Sequence, residues 1–279
     1  MHTKPANSAP ADPARGPSGP SGPDSRRRVA VTGANRGIGL ATAAALLELG
    51  ADTVATYRHE HPVDHEHPVD TVVTGRHEHP VDPAGPARLT WLQADVTNDA
   101  DLEAVAALEL DGLVANAGLP YIGKVSRMPV EQARHYVQVN LTAAARLADS
   151  VARAMAERGG GTIVLVSSVA ACYGILGGAL YGGAKSGLVG CARALVRLHG
   201  AAGVRVHVVA PGYVETRVTA DLAAHMREGL TQRHIPAQRF ASAHEVGACL
   251  AHLVLGRPAP AVPGTTLIPL DGGFAMGWR

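Results

Sequence analysis

Tyr181 and Lys185 stand four residues apart in a stretch whose pattern reads as a helix over 181–201. That spacing puts both side chains on one helix face, close enough to act together. A free phenol titrates near about 10 and is a poor proton donor or acceptor near neutrality. A neighbouring ammonium lowers that value, which suits acid–base work on a carbonyl or an alcohol. A second group of residues is Thr32-Gly33-Ala34-Asn35-Arg36-Gly37-Ile38-Gly39, set between a short apolar run and an Ala/Leu-rich segment. Glycines at such a place let the backbone approach a pyrophosphate at a helix N-terminus, where free N–H groups and the helix dipole favour anions. Either pattern alone is common. One serves proton transfer and the other serves phosphate.

The elements that must hold these groups alternate regularly. Strand-like Val/Ile/Leu runs bounded by Gly, Pro or Asp begin at Arg28 and at Asp52, and recur over 89–96, 111–118, 161–170, 204–212 and 265–273. Between them lie helical patterns: one ending near Gly50, then 99–108, 130–157, 181–201 and 242–254. Strands alternating with helices imply an α/β domain with a parallel, doubly wound sheet of about seven strands covered on both faces. Ligands of such sheets bind beyond the carboxyl ends of the strands. With 279 residues there is room for one such domain, over 28–279, and not for two comfortable ones.

Composition narrows the function classes. A net charge of +1 gives no electrostatic footprint for nucleic acid. No run approaches the roughly 18 apolar residues of a membrane span. The first 27 residues are rich in Pro, Gly, Ser and Ala, have no apolar segment, and read as a disordered tail rather than a signal. Arg26–Arg28 reads as a solvated lead-in to the first strand. Cys172, Cys191 and Cys249 form no CxxC pair, so a reducing cytoplasm is the simplest setting. Aromatics make up only 4% of the chain, so small aliphatic side chains must pack the core.

One region breaks the alternation. Residues 52–64 (DTVATYRHEHPVD) recur at 70–82 (DTVVTGRHEHPVD), differing only at Ala55/Val73 and Tyr57/Gly75. Two copies are too few for a solenoid, so this is a local duplication of one strand and its exit loop. The copy at Asp52 follows Gly50 by a tight turn and is favoured as the second strand; the remainder is expected to be a solvated loop. The histidines His59, His61, His65, His67, His77 and His79 invite a metal reading. Pro, Val and Asp repeat as faithfully, however, and duplication alone accounts for them, so no metal site is expected.

Taken together and in this order, the motifs resemble the short-chain dehydrogenase/reductase family over about Arg28 to Gly273. They are the TGxxxGIG turn at Thr32–Gly39, Asn116-Ala117-Gly118, Asn140, Ser168, Tyr181/Lys185 and a PGxxxT at Pro211–Thr216. Ser168 stands thirteen residues before Tyr181, the spacing common in that family. The resemblance implies a Rossmann-type fold and a catalytic set of Asn140, Ser168, Tyr181 and Lys185. Tyr181 would exchange a proton with the substrate oxygen and Ser168 would polarise it. Lys185 would hold the nicotinamide ribose and lower the Tyr181 pKa, and Asn140 would anchor a water leading to bulk solvent. Alternation along the strand sends Ser167 the opposite way from Ser168. The cofactor would be held by Gly33, Asn35, Arg36, Gly37, Ile38 and Gly39, by Arg58, Asp95 and Val96, by Asn116, Ala117 and Gly118, by Tyr181 and Lys185, and by Pro211, Gly212, Val214 and Thr216.

An acidic residue at the tip of the second strand would take the ribose 2′-hydroxyl of NAD and repel a 2′-phosphate. Here the tip is Tyr57-Arg58, or Gly75-Arg76 in the other copy, and Arg36 adds a second cation. NADP(H) is therefore the expected cofactor. Substrate choice would rest on Val169–Leu180, small and apolar, and on a lid over 213–240 carrying Arg217, His225, Arg227, Arg233, His234 and Arg239. From VVAPGYVET to DGG the pattern is most similar to 3-oxoacyl-acyl-carrier-protein reductases and related ketoreductases. The substrate would be a carbonyl or alcohol, possible forms being a carrier-bound 3-oxoacyl or polyketide ketone and a small secondary-metabolite ketone. In relatives the Ala-rich helices carrying Asn140 and Tyr181 pack across a two-fold axis, which implies a dimer or tetramer. Two rival readings stand beside this one: a non-catalytic dinucleotide-binding regulator on the same fold, and a His-rich metal-binding or interaction module.

Overall fold

The computed structural model describes residues 26–59, 72–74, 87–120, 123–220, 222–256 and 266–274. In chain order the elements are β1 (Arg28–Val31), α1 (Gly37–Glu48), β2 (Asp52–Tyr57), β3 (Val72–Thr74), β4 (Leu89–Gln93), α2 (Asp99–Ala106), β5 (Gly112–Ala115), α3 (Val130–Val137), α4 (Ala143–Glu157), β6 (Gly161–Val166), α5 (Ala170–Tyr173), α6 (Ala179–His199), β7 (Val204–Pro211), β8 (Val214–Glu215), α7 (Arg217–Ala220), α8 (Ala224–Arg233), β9 (Ala241–Ser242), α9 (Ala243–Leu255) and β10 (Thr266–Leu270). The main sheet runs β10-β7-β6-β5-β1-β2-β4-β3, every pair parallel. The short pair β8–β9 stands apart from it.

Strand alternation divides the core between the two faces. Ala30, Leu113, Leu165, Val204, Val206 and Val208 meet Leu102, Leu147, Val151, Met155, Leu188 and Leu195 from α2, α4 and α6. Val29, Val31, Val114, Val166 and Val209 point the other way, onto Ala43, Leu46, Val246, Leu250 and Val254 of α1 and α9. This is the three-layer, doubly wound α/β domain expected, and all seven expected strands are present. The winding reverses between β1 and β5, so a crevice opens at their carboxyl ends. The glycine turn after β1 and the Asn116 segment after β5 lie there.

The duplicated segment is used twice. Ala51 donates to the Leu46 carbonyl (2.9 Å) and Asp52 to that of Arg27 (2.9 Å), and this tight turn feeds the first copy between β1 and β4 as β2. Tyr57 at its end meets Trp91 edge-on, 6.3 Å between ring centroids. The second copy corrects the expectation that the remainder is wholly loop. Val72–Thr74 forms β3, an added edge strand on the far side of β4. Its register is slipped by one residue: Val54 pairs with Thr90, whereas its counterpart Val72 pairs with Leu89. Backbone pairing at an open edge suffices for a three-residue strand, and a slip of one exchanges its two faces. His59 is described; His61, His65, His67, His77, His79 and Arg76 lie outside the described residues, as does the tail before Arg26.

The helical pattern over 130–157 is likewise two helices. Between α3 and α4 the backbone makes a π-helical turn, Gln138–Thr142. A wide turn of this kind costs regular hydrogen bonding and is found mostly where a side chain has work to do. Here it surrounds Asn140. No helix among the described residues is long and apolar enough to cross a membrane.

Candidate active site

The Gly-rich turn is built by close approach. Gly33 has φ +63°, and a Cβ there would stand 3.0 Å from the Ala117 Cα. At Gly39 a Cβ would come within 2.6 Å of the Asn116 Nδ2 and closer still to the Gly33 carbonyl oxygen. Asn116 fastens the turn, its Nδ2 donating to the carbonyls of Thr32 (3.0 Å) and Gly33 (3.2 Å). In return Thr32 Oγ1 accepts from the N–H groups of Asn116 and Ala117, both at 3.0 Å. Helix α1 then begins at Gly37 with no side-chain cap and no acidic residue in its first turn. Its leading N–H groups are left to face the crevice, a ready seat for an anion.

The proton-handling groups come from β6 and α6. The two serines that follow β6 divide as alternation requires. Ser167 is buried and donates to the Lys185 carbonyl (2.9 Å), bracing α6. Ser168 turns to the crevice, accepts from the Ala170 N–H (3.2 Å) and is hydrogen-bonded to the Tyr181 phenol. Lys185 is 3% exposed, donates from Nζ to the Val166 carbonyl (2.9 Å) and lies 5.9 Å from the Tyr181 ring centroid. Asn140 is buried behind it, donating to the carbonyls of Leu119 and Tyr136 (both 3.0 Å) and accepting from the Leu119 N–H (3.1 Å). A Cβ at Gly118 would lie 3.0 Å from Asn140 Oδ1 and 3.2 Å from Lys185 Nζ, so only glycine leaves the ammonium open to the crevice.

Burial moves both partners toward their neutral forms. It pushes the Lys185 ammonium down to about 8. It pushes the Tyr181 phenol up, with the Ser168 hydrogen bond opposing. This corrects the expectation that Lys185 lowers the Tyr181 pKa. In this arrangement the ammonium is turned to the Val166 carbonyl, and burial of the phenol, opposed by the Ser168 hydrogen bond, sets the direction. The consequence for stability has a definite sign. Lys185 titrates at about 8 folded and 10.5 ordinarily. Between those values the unfolded chain binds more protons, so stability increases as the pH is raised from about 8 to 10.5, and the whole cost is present below that window. Lys185→Met lacks this titration. The unfolding free energy of the wild type, measured against Lys185→Met without cofactor, should rise by roughly 3 kcal/mol across the window. A difference independent of pH would contradict a Lys185 ammonium pushed down to about 8 by burial.

These groups line one cleft of about 270 Å³, open to solvent. From the sequence-based set it gathers Gly33, Arg36, Gly37, Ile38, Asn116, Ala117, Gly118, Ser168, Tyr181, Lys185, Pro211, Gly212, Val214 and Thr216. Among the described residues lining it are three cations, Arg36, Lys185 and Arg217, and no carboxylate. A glycine cradle, an uncapped helix start and this charge balance fit a dinucleotide carrying phosphates.

Comparison with known proteins agrees. A sequence model of the family described as short chain dehydrogenase matches residues 27–227. The chain is 35% identical over 257 residues to the 3-oxoacyl-[acyl-carrier-protein] reductase MabA of Mycobacterium avium, covering 90% of this chain and 91% of that one. It is 32% identical over 252 residues to the reductase FabG of Escherichia coli K12, covering 88% and 96%. The chain belongs to the short-chain dehydrogenase/reductase family. Among solved structures, one assigned as an NAD(P)-dependent gluconate 5-dehydrogenase from Beutenbergia cavernae, with bound NADP, superposes with a TM-score of 0.76 at 29% identity, over 91% of this chain and all of that one. Membership places the chain in an oxidoreductase family of the CH–OH/C=O class, whose members bind a nicotinamide dinucleotide.

The remaining family positions stand around the cleft rather than on its lining. Asn35 is half-buried in the turn, Gly39 is beneath it, and Asn140 is behind Lys185. Val96 packs partly against the core. Asp95 and Arg58 sit at the carboxyl ends of β4 and β2. Burial opposes ionisation of Asp95, but hydrogen bonds from Thr97 and the nearby charges of Arg58 and His59 prevail and hold its pKa below the usual carboxylate value. The sequence reading missed Pro120, Val166 and Thr219 as lining residues, counted Arg217 only as part of the substrate lid, and sent Ser167 away from a cleft that its residue still borders. Pro120 follows the Asn116 motif by four residues and Arg217 directly follows Thr216, so continuing each motif onward would have reached both.

Proposed function

We propose that the chain reduces a ketone with NADPH, or runs the reverse oxidation, with Tyr181 as the acid or base. The carrying observation is the convergence of Ser168, Tyr181 and Lys185 on one cleft that also holds the glycine cradle. When bound, the reduced nicotinamide supplies a hydride. The Tyr181 hydroxyl gives its proton to the substrate oxygen, and the Ser168 hydroxyl donates to the same oxygen and spreads its developing charge. As negative charge forms on the phenol, the nearby Lys185 ammonium favours release of the Tyr181 proton to the substrate oxygen. Asn140 keeps the Leu119 strap and the π-helical turn in place beside Lys185. Retention of both Tyr181 and Lys185 in a formed cleft argues against a non-catalytic regulator.

The NADPH preference rests on the strand tip. β2 ends at Tyr57-Arg58 with no acid there, and Arg36 opens α1. Arg58→Ala should weaken NADPH binding by roughly 1.5–3 kcal/mol, about one to two powers of ten, and leave NADH nearly untouched. Arg76→Ala should leave the ratio of the two affinities alone. Dissociation constants from calorimetry decide it; a ratio unmoved by Arg58→Ala would leave the preference to Arg36.

For substrate we favour a 3-oxoacyl thioester or polyketide ketone. The relatives named above bear on this, and so does an aromatic cluster around Tyr213, the residue between the lining Gly212 and Val214. A chain with two Phe and six Tyr brings both Phe and two of the Tyr together there. Tyr213 stacks on Phe240 (5.2 Å) and meets Phe274 edge-on (5.9 Å), and Phe274 reaches Tyr173 (6.3 Å). Aromatic rings at that place suit an acyl chain better than a polyol. A panel of ketones and sugars with NADPH and NADH, followed by absorbance of the reduced cofactor, tests this. Greater turnover of sugars than of 3-oxoacyl thioesters would refute the substrate class. A homodimer or homotetramer through α4 and α6 completes the proposal.

A further inference from the structure

Two of the three cations in the cleft have evident partners in the proposed reaction: Lys185 stands beside Tyr181, and Arg36 opens α1 next to the strand tip. Arg217 is on the opposite wall, at the start of α7. That wall stands close to the glycine turn, for the Thr216 Cγ2 lies 3.6 Å from where a Cβ on Gly37 would be. The backbone beneath Arg217 is pinned. Thr219 Oγ1 accepts from the Thr216 N–H (3.1 Å) and donates to the Val214 carbonyl (2.6 Å). The nearest acid in sequence, Glu215, is engaged by Arg227. Among the described residues Arg217 itself makes no ion pair, and its side chain is exposed at the cleft. A fixed base, an uncommitted guanidinium and an anion seat across the gap are the parts of a clamp.

We infer that Arg217 is a phosphate clamp, closing from the α7 wall over the anion seated at the N-terminus of α1. The inference rests on reading the cleft as a dinucleotide site. The guanidinium fork matches two oxygens of one phosphate at once, a geometry a lysine cannot reproduce. Its phosphate has two sources, the pyrophosphate of the cofactor or the pantetheine phosphate of a thioester substrate. Closeness of Thr216 to Gly37 favours the pyrophosphate, because it places Arg217 beside the turn that would cradle it.

The test uses the full chain with Arg217→Gln and Arg217→Lys, NADPH and NADH in calorimetry, and acetoacetyl thioesters of coenzyme A and of N-acetylcysteamine in kinetics. A clamp on the pyrophosphate raises the dissociation constants of NADPH and NADH together, about tenfold or more in Arg217→Gln, with their ratio unchanged and part of the loss recovered in Arg217→Lys. Arg36→Ala should instead change the ratio. If cofactor affinity is unchanged and only the coenzyme A thioester shows a higher KM, Arg217 serves the substrate phosphate and the clamp over the α1 anion is overturned. If neither dinucleotide affinity nor either KM moves, Arg217 is a solvated side chain and the inference is overturned. Failure of the wild type to bind either dinucleotide would overturn the cofactor reading too, and that is visible before any variant is made.

Discussion

Tyr181→Phe should lower turnover by roughly a hundred- to ten-thousand-fold while leaving NADPH affinity unchanged. The substitution removes one hydroxyl and keeps the ring, so the contact with Lys185 across 5.9 Å and the start of α6 are preserved. Nothing in the glycine turn or the Asn116 bonds depends on that hydroxyl. What is lost is the proton that must reach the substrate oxygen. Ser168, an alcohol hydrogen-bonded into the site, has no means of replacing it near neutral pH. Turnover in steady state and affinity by calorimetry separate the two quantities. More than about a tenth of wild-type turnover in Tyr181→Phe, against the loss that removal of a general acid normally causes, would remove Tyr181 from the role.

Gly39→Val should abolish useful cofactor binding, raising the NADPH dissociation constant by roughly a hundredfold. The added Cβ would stand within 2.6 Å of the Asn116 amide nitrogen, which holds the carbonyls of Thr32 and Gly33. Backbone and amide are both fixed, so the turn must open and its N–H groups lose their aim. NADH should suffer equally, because the damage lies at the shared pyrophosphate seat. Because Ala34, Ile38 and Leu40 beside the turn pack with the core, circular dichroism of the variant must show the fold retained before the loss is assigned to the turn. An affinity within about threefold of the wild type would mean that the turn does not hold the pyrophosphate.

How far the sequence could carry these conclusions depended on whether a residue's role is local or set by connection. Strand period set Ser167 and Ser168 on opposite sides, a local property, and the family spacing to Tyr181 chose Ser168; the structure has the Ser167 hydroxyl donating to the Lys185 carbonyl. Alternation of strands and helices carried the doubly wound sheet for the same reason. The duplicated phrase was harder, since two nearly identical segments have the same propensity. Only the short turn after Gly50 distinguished the first copy, and the Tyr57–Trp91 contact, absent where Gly75 replaces Tyr, agrees with it. That the second copy would add an edge strand in a slipped register was not legible. Edge pairing depends on where β4 leaves an open row of backbone groups, and no pattern within residues 72–74 encodes that.

The π-helical turn at Gln138–Thr142 was also hidden. Its apolar periodicity continues that of the flanking helices, and the break becomes evident only when Asn140 is seen taking the Tyr136 carbonyl and the Leu119 strap. The direction of the Tyr181 pKa shift was misjudged for a related reason. Spacing of four places an ammonium near a phenol, but the sign depends on how dry the pair is and on what else the ammonium binds. Here Val166 supplies that competing partner. Arg217 illustrates the reverse case: an arginine in a basic lid is usually a solvated one, and only the closeness of its neighbour Thr216 to the glycine turn sets it apart.

The decisive measurement is the absorbance of reduced nicotinamide when the wild-type chain meets an acetoacetyl thioester with NADPH, with NADH, and with NADPH in the Tyr181→Phe variant. Rapid loss of NADPH, slower loss of NADH and almost none in the variant is the expected result. No oxidation of either nucleotide with any ketone of the panel, or a rate undiminished in Tyr181→Phe, would contradict a Tyr181-driven, NADPH-dependent ketone reductase.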